Sequence, residues 1–287
     1  MDYKKCTLCP RACGANRAAG ERGFCGMPGK AVVSKVMRHF WEEPVLAGEG
    51  GSGAVFFAGC TLRCAYCQNS AISHRGKGTE MDSRELRRVF ENLIAEGAEN
   101  IDLVTPTQYL PDIIPALSPK LPVPVVYNCG GYESVETLKK LEGLVDIYLP
   151  DLKYAVGSLG QELSGAGDYF SVAVKAIKEM VRQTGPYVIE NGKMKKGVLV
   201  RHLILPGQIE NSLRVLDFLG ENFQKGEILV SLMRQYTPMG EIPGYGDFSR
   251  TVSQEEYDAV LSWMFLNDLD GFTQEEQAAS QSFIPDF

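Results

Sequence analysis

The chain of 287 residues has no apolar run long enough to cross a bilayer, and Met1-Asp-Tyr-Lys-Lys-Cys6 carries no hydrophobic signal core. The expectation is a cytoplasmic protein with no membrane partner. A basic field is missing as well. Lys and Arg number 29 against 36 Asp and Glu, a net charge of −7, which argues against a general nucleic-acid binder. No internal repeat or low-complexity tract is present, and there are only three histidines. Of these, His39 and His74 read as satisfied structural residues. Hydrophobic residues make up 44% and charged residues 23%, as in an ordinary globular protein, and the length fits one large α/β domain with a small appendage.

What the chain does have is cysteine in an unusual distribution. Seven of its eight cysteines fall within the first 67 residues. Without a secretion signal, they point to metal rather than to disulfides. Cys60-Thr-Leu-Arg-Cys64-Ala-Tyr-Cys67 places three thiolates within eight residues. Three thiolates hold three irons of a 4Fe–4S cube and leave the fourth iron open for chemistry. The run before them, Ala54-Val-Phe-Phe-Ala58, is short, apolar and closed by Gly59. It reads as a buried strand, with the cysteines at its C-terminal end, where parallel α/β folds put their active sites.

A second group, Cys6, Cys9, Cys13 and Cys25, has spacings that suit tetrahedral zinc or a second, fully ligated cluster. Zinc is the expectation, with iron–sulfur as the alternative. The surrounding Gly-, Arg- and Ala-rich segment cannot build its own core, so a metal would supply folding energy. Residues 1–50 are therefore expected to form a cysteine-rich, metal-binding N-terminal segment. Cys129 stands alone and reads as a small buried hydrophobe, or else as a thiol that donates hydrogen to a substrate radical.

From Gly53 onward strand and helix patterns alternate. Strands are expected near 100–105, 123–128, 144–149, 197–205 and 227–232, besides the one before Cys60. Helices are expected near 83–98, 109–117, 134–141, 169–182 and 211–219. An earlier strand fits 31–37, and the glycine-rich stretch 48–53 reads as a flexible linker. Six β/α units predict an α/β fold, a partial (β/α)6 barrel over 51–287 with a C-terminal helical extension. Gln235 to Arg250 reads as a loop over the active-site end, a candidate lid. The polar residues at strand ends, Thr105, Asn128, Asp151, Lys153, Arg201, His202 and Gln235, are the candidates for lining a pocket. Asp151 and Lys153, two apart after an apolar strand, point to one side.

Cys-x3-Cys-x2-Cys with Tyr66 before the last cysteine resembles the radical S-adenosylmethionine superfamily. The resemblance implies that S-adenosylmethionine chelates the open iron, and that one electron cleaves it to methionine and a 5′-deoxyadenosyl radical. It also implies reduced flavodoxin or ferredoxin as the electron donor. Asp151-Leu-Lys153 and Arg201-His-Leu-Ile-Leu-Pro-Gly207 look like stretches of pyruvate formate-lyase activating enzymes. Tyr127-Asn-Cys-Gly-Gly131 and Cys67-Gln-Asn69 are similar to others of theirs.

That similarity implies cofactor contacts from Tyr66, Asn128, Asp151 on the ribose side, Lys153 on the methionine carboxylate, and Arg201. The family's Gly-Gly-Glu stretch is replaced by Val104-Thr-Pro-Thr-Gln108, which leaves Thr105 or Thr107 to take over its contact. The function so implied is activation of a glycyl radical enzyme. The alternatives are radical chemistry on a small metabolite or peptide, and a two-cluster electron-transfer protein.

Overall fold

The structure is a computed structural model that describes residues 1–274. After the N-terminal cysteine segment come β1 (Ala31–His39), α1 (Pro44–Ala47), β2 (Ser52–Phe57), α2 (Ser70–Ser73) and β3 (Thr79–Met81). Next are α3 (Ser83–Ala95), β4 (Ile101–Val104), α4 (Leu110–Ala116), β5 (Val125–Cys129), α5 (Val135–Leu138) and β6 (Ile147–Pro150). The chain continues through α6 (Gly157–Ser164), α7 (Tyr169–Thr184), β7 (Val188–Glu190) and β8 (Lys193–Leu203). It then forms α8 (Ile209–Asn222), β9 (Ile228–Met233), α9 (Gln254–Leu266) and β10 (Gly271–Thr273).

One sheet runs β10-β9-β8-β6-β5-β4-β2-β1-β3. The strands from β2 through β9 along this path pair in parallel, which gives the six β/α units of a partial barrel. Two features extend it. β10 adds in parallel to β9, so the region after β9 holds a strand as well as the expected helix. β1 pairs antiparallel with β2, Met37 facing Ala54 and His39 facing Ser52. Residues 31–39 thus belong to the barrel sheet rather than to a separate segment spanning 1–50. The expected flexible linker is instead a fixed turn, in which Gly50 N–H donates to Glu99 Oε1 at 3.2 Å and Ser52 already lies in β2.

Alternation along the strands separates two apolar layers. One set, including Phe57, Leu103, Tyr127, Tyr148 and Val200, packs against the helices. The inward set, Val126, Ile147, Leu199 and Leu229, meets Val45 and Leu46 of α1, which plugs the barrel where the strands begin. α3 starts at a capping box: Asp82 accepts from the Glu85 N–H, and Glu85 returns a bond to the Asp82 N–H. No helix among the described residues is long and apolar enough to cross a membrane.

The N-terminal segment is tied to the barrel by buried polar contacts. Arg17, only 2% exposed, donates to the carbonyls of Met27 and Gln108 and stacks on Tyr3 and Tyr109. Asp112 of α4 accepts from the Tyr3 hydroxyl and the Ala31 N–H, both at 2.7 Å. Gly59 has φ +75°, and a Cβ there would lie 2.3 Å from Met27 Cγ and 3.1 Å from the Cys25 carbonyl. Only glycine lets the N-terminal segment approach the residue before Cys60 this closely.

Candidate active site

β2 ends at Phe57, and the chain turns through Gly59 into the loop of Cys60, Cys64 and Cys67. All three cysteines line one cavity of about 540 Å³ at the C-terminal end of the parallel strands. Ser164 of α6 donates to Cys64 Sγ at 3.1 Å, and Ser73 of α2 sits 3.3 Å from Cys67 Sγ. Burial pushes the Cys60 thiol up to about 12. Metal ligation would remove that proton and put positive charge beside the sulfur.

Among the described residues no three His, Cys, Asp or Glu side chains gather tightly enough to share one ion. Cys60, Cys64 and Cys67 line one cavity within electrostatic reach of one another, and three thiolates are the donor set for three irons of a cube, so the residues present fit the cluster. The four N-terminal cysteines are likewise not gathered on one point. Burial raises the Cys9 thiol to about 12, with smaller contributions from Glu133, Cys25 and Cys6, and Cys13 in turn neighbours Cys6 and Cys25, which places all four in one neighbourhood.

Tyr66 lines the cavity and packs against Tyr154, Tyr236 and Phe248, with ring centroids 6.0 to 6.4 Å away. Phe248 and Tyr236 come from the 235–250 loop, and Tyr236 OH donates to the Phe248 carbonyl at 2.9 Å. That loop is therefore packed onto the cysteine loop, and Gln235, Tyr236 and Thr237 form part of the cavity wall.

Thr105, Asn128, Asp151, Lys153 and Arg201 all reach the same cavity. Lys153 Nζ lies 2.5 Å from Asp151 Oδ2, and Arg201 Nε donates to Asp151 Oδ1 at 2.9 Å. Arg201 also donates to Asn128 Oδ1 at 2.7 Å and to Glu42 Oε1 at 3.1 Å. Burial alone would raise the Asp151 carboxyl, but Arg201 and Lys153 outweigh it and hold the group ionised. For Lys153 burial works against the charge, and Asp151 more than offsets it. The Asp151–Lys153 turn is braced from both sides. Tyr169 of α7 accepts from the Lys153 N–H at 2.9 Å, and Asn211 of α8 donates to the Lys153 carbonyl at 2.9 Å.

Between the two threonines offered for the missing Gly-Gly-Glu contact, the structure separates Thr105 from Thr107. Thr105 lines the cavity with a left-handed backbone, φ +58°. Thr107 is buried behind the wall, where it donates to Glu133 Oε1 at 2.8 Å. His202 is also not in the cavity. It lies on the opposite face of β8, with Nδ1 2.7 Å from the Leu152 carbonyl and Nε2 2.9 Å from Ser212 Oγ, and burial pushes it down to about 4. His39, expected to be structural, does line the cavity, whereas His74 does not. Cys129 lines it too, with its thiol raised by burial. Sequence reasoning missed Glu42 and Trp41, which enter the cavity wall from the connector after β1, and Asp102, buried inside the barrel.

The profile of the Radical SAM superfamily matches residues 54–219. The chain belongs to that superfamily, whose members use a 4Fe–4S cluster and S-adenosylmethionine. It is 28% identical to an uncharacterized protein of Methanocaldococcus jannaschii, over 93% of this chain and 76% of that one. Among solved structures it is similar to a radical SAM methyltransferase from Sphaerobacter thermophilus, with TM-score 0.55, 14% identity, and coverage of 78% of this chain and 66% of that one. It is also similar to Streptococcus suis SuiB bound to precursor peptide SuiA, with TM-score 0.51, 16% identity, and coverage of 77% of this chain. The chain spans about half of SuiB, 47% of its length. At these identities the solved structures show the fold alone.

Proposed function

We propose that Cys60, Cys64 and Cys67 hold a 4Fe–4S cluster and that the adjoining cavity takes S-adenosylmethionine, for hydrogen abstraction of the activating-enzyme type. The observation that carries this is the convergence of the three thiols and the Asp151–Lys153–Arg201 group on one cavity. When bound, cluster and cofactor together supply a 5′-deoxyadenosyl radical.

The chain's own residues do the positioning. Lys153, held charged by Asp151, would present an ammonium to a carboxylate, and Asp151, bonded through its two oxygens to Lys153 and Arg201, would accept from hydroxyls on its remaining lone pairs. Tyr66, Tyr236 and Phe248 shut the cluster side against water. Reduced flavodoxin or ferredoxin would deliver the electron. The activating-enzyme subtype rests on the Asp151-x-Lys153 and Arg201-x4-Pro206-Gly207 stretches, with a glycyl radical enzyme or a peptide as the substrate.

Cys6, Cys9, Cys13 and Cys25 are proposed to hold a second metal centre, zinc or iron–sulfur. Anaerobically reconstituted protein reduced with dithionite should convert S-adenosylmethionine to methionine and 5′-deoxyadenosine. The triple Cys60→Ala/Cys64→Ala/Cys67→Ala variant should lose both the cluster and the cleavage, and full activity in it would overturn the assignment. Metal analysis of a Cys6→Ser/Cys9→Ser variant separates the N-terminal readings: loss of zinc with cluster iron retained, or loss of about half the iron.

A further inference from the structure

Beneath the Asp151–Lys153 pair the barrel interior holds more acid than base. Glu42 and Glu43 rise from the connector ahead of α1, Asp102 points in from β4, and Asp151 follows β6. Among the described residues the cations paired with these four carboxyls are Arg201 and Lys153, and both are already bonded to Asp151. Arg201 is also shared with Glu42 at 3.1 Å.

The surplus shows in the titration. Burial, followed by the neighbouring Glu42, raises the Glu43 carboxyl to about 7. The same two causes, in the same order, raise Asp102 well above the usual carboxylate range. Burial with a like charge beside it thus favours the neutral form of both acids, more than Arg201 can offset.

Three buried polar atoms around this group make no hydrogen bond of ordinary geometry: Asp102 Oδ1, Ser231 Oγ and His39 Nδ1, although Glu42 comes close enough to Asp102 to favour its protonated form. Asp102 and Ser231 are 0% and 1% exposed. They sit on the strand faces that also present Val104 and Met233 to the cavity. The Ser231 hydroxyl is near enough to Glu43 to favour its ionised form, yet makes no bond of ordinary geometry. Buried polar atoms without partners, on three different elements, mark a place where a ligand or its water belongs. Glu42 and His39 open this group to the cavity.

We infer that the floor of the cavity, at Glu42 with Asp102, Glu43 and His39 around it, is the substrate subsite and takes a positively charged nitrogen, an ammonium or guanidinium. The inference rests on the proposed radical chemistry of this cavity. An anionic group is disfavoured there, because Arg201 is already held by three side chains. A cation would add counter-charge and favour the ionised forms of Glu43 and Asp102, with release of protons.

The test is calorimetric titration of the reconstituted enzyme, once S-adenosylmethionine binding to the same preparation has been measured. The probes are n-butylamine, n-butylguanidine, 1-butanol and butyrate, with N-acetyl-lysine N-methylamide for a cation carried on a peptide. Each cation is expected to bind about tenfold or more tighter than butanol or butyrate. Repeating the titration in buffers of different ionisation enthalpy should show proton release. Preference between the free amines and the lysine amide tells a small molecule from a peptide.

Glu42→Gln should erase the preference. Because that change also frees Arg201, Asp102→Asn is the second variant, and it should reduce the proton release with cluster iron intact. A preparation that binds S-adenosylmethionine but does not favour cations overturns the inference and leaves the radical SAM reading standing. A cation preference undiminished from wild type in the Glu42→Gln variant also overturns it. Failure to bind S-adenosylmethionine at all overturns the reading of the cavity, and the inference with it.

Discussion

Arg11, set between two cysteines of the N-terminal group, donates through Nε to the carbonyl of Thr61 at 2.9 Å, inside the Cys60–Cys67 loop. Its Nη2 donates to the Ser164 carbonyl at 2.7 Å, and the Ser164 hydroxyl in turn reaches Cys64 Sγ. The guanidinium also lies over the Phe24 ring, 3.8 Å from its centroid. One side chain thus joins the N-terminal segment, the cysteine loop and the end of α6. Arg11→Ala is expected to lower stability by about 2 kcal/mol through the lost charge-assisted bonds. Cluster absorbance should also decay faster than in the wild type. An unchanged melting temperature together with an unchanged cluster lifetime would contradict this role.

Lys153→Met should weaken S-adenosylmethionine binding while iron content stays at the wild-type level. Losing one charge-assisted contact in a partly buried site costs about 1.5–3 kcal/mol, or roughly ten- to a hundredfold in affinity. Equilibrium dialysis beside iron analysis reads both quantities, and wild-type affinity in the variant would remove Lys153 from the cofactor site.

Thr105 holds φ +58°, a region that disfavours a β-branched residue by about 1–2 kcal/mol. Thr105→Gly relieves this strain against a smaller entropic penalty in the unfolded chain. The variant should be as stable as the wild type or about 1 kcal/mol more so, yet bind S-adenosylmethionine more weakly. Lower stability with undiminished binding would mean that the threonine serves the fold alone.

Glu133 is buried, accepts from Thr107 and from Tyr127, and is pushed by burial from 4.5 up to about 7. Its folded-state pKa exceeds the unfolded value, so the native state binds more protons between them. Its contribution to stability is complete below pH 4.5 and is lost as pH rises through 7. Glu133→Gln should flatten that part of the profile, a difference of a few kcal/mol at most. Melting temperatures of both proteins from pH 5 to 8 test this, and parallel curves would exclude Glu133 as the source.

The parallel strands and the cysteine loop were legible because each is local: an apolar run, a turn and a fixed spacing. Asp151 and Lys153 were legible for the same reason. Glu42 was not, because it reaches the barrel floor only through the antiparallel pairing of β1 on β2, a contact that no local pattern encodes. Asp102 did leave a signal. A carboxylate within Ile101-Asp-Leu-Val104, a strand buried on both faces, is costly unless it has a task. The β7–β8 hairpin had one too, since Asn191-Gly192, both with positive φ, is a strong two-residue turn. α6 was obscured by Gly157 and Gly160, poor helix formers kept in place by packing.

Among the described residues the sheet ends on β10 at one side and β3 at the other, and no ladder bonds join these two edges. The barrel is therefore open along one side, between two strand edges that share no backbone hydrogen bonds. With no ladder joining them, these edges can spread or approach while every strand pairing stays intact, so the resting volume of the cavity does not fix the size of what it can hold.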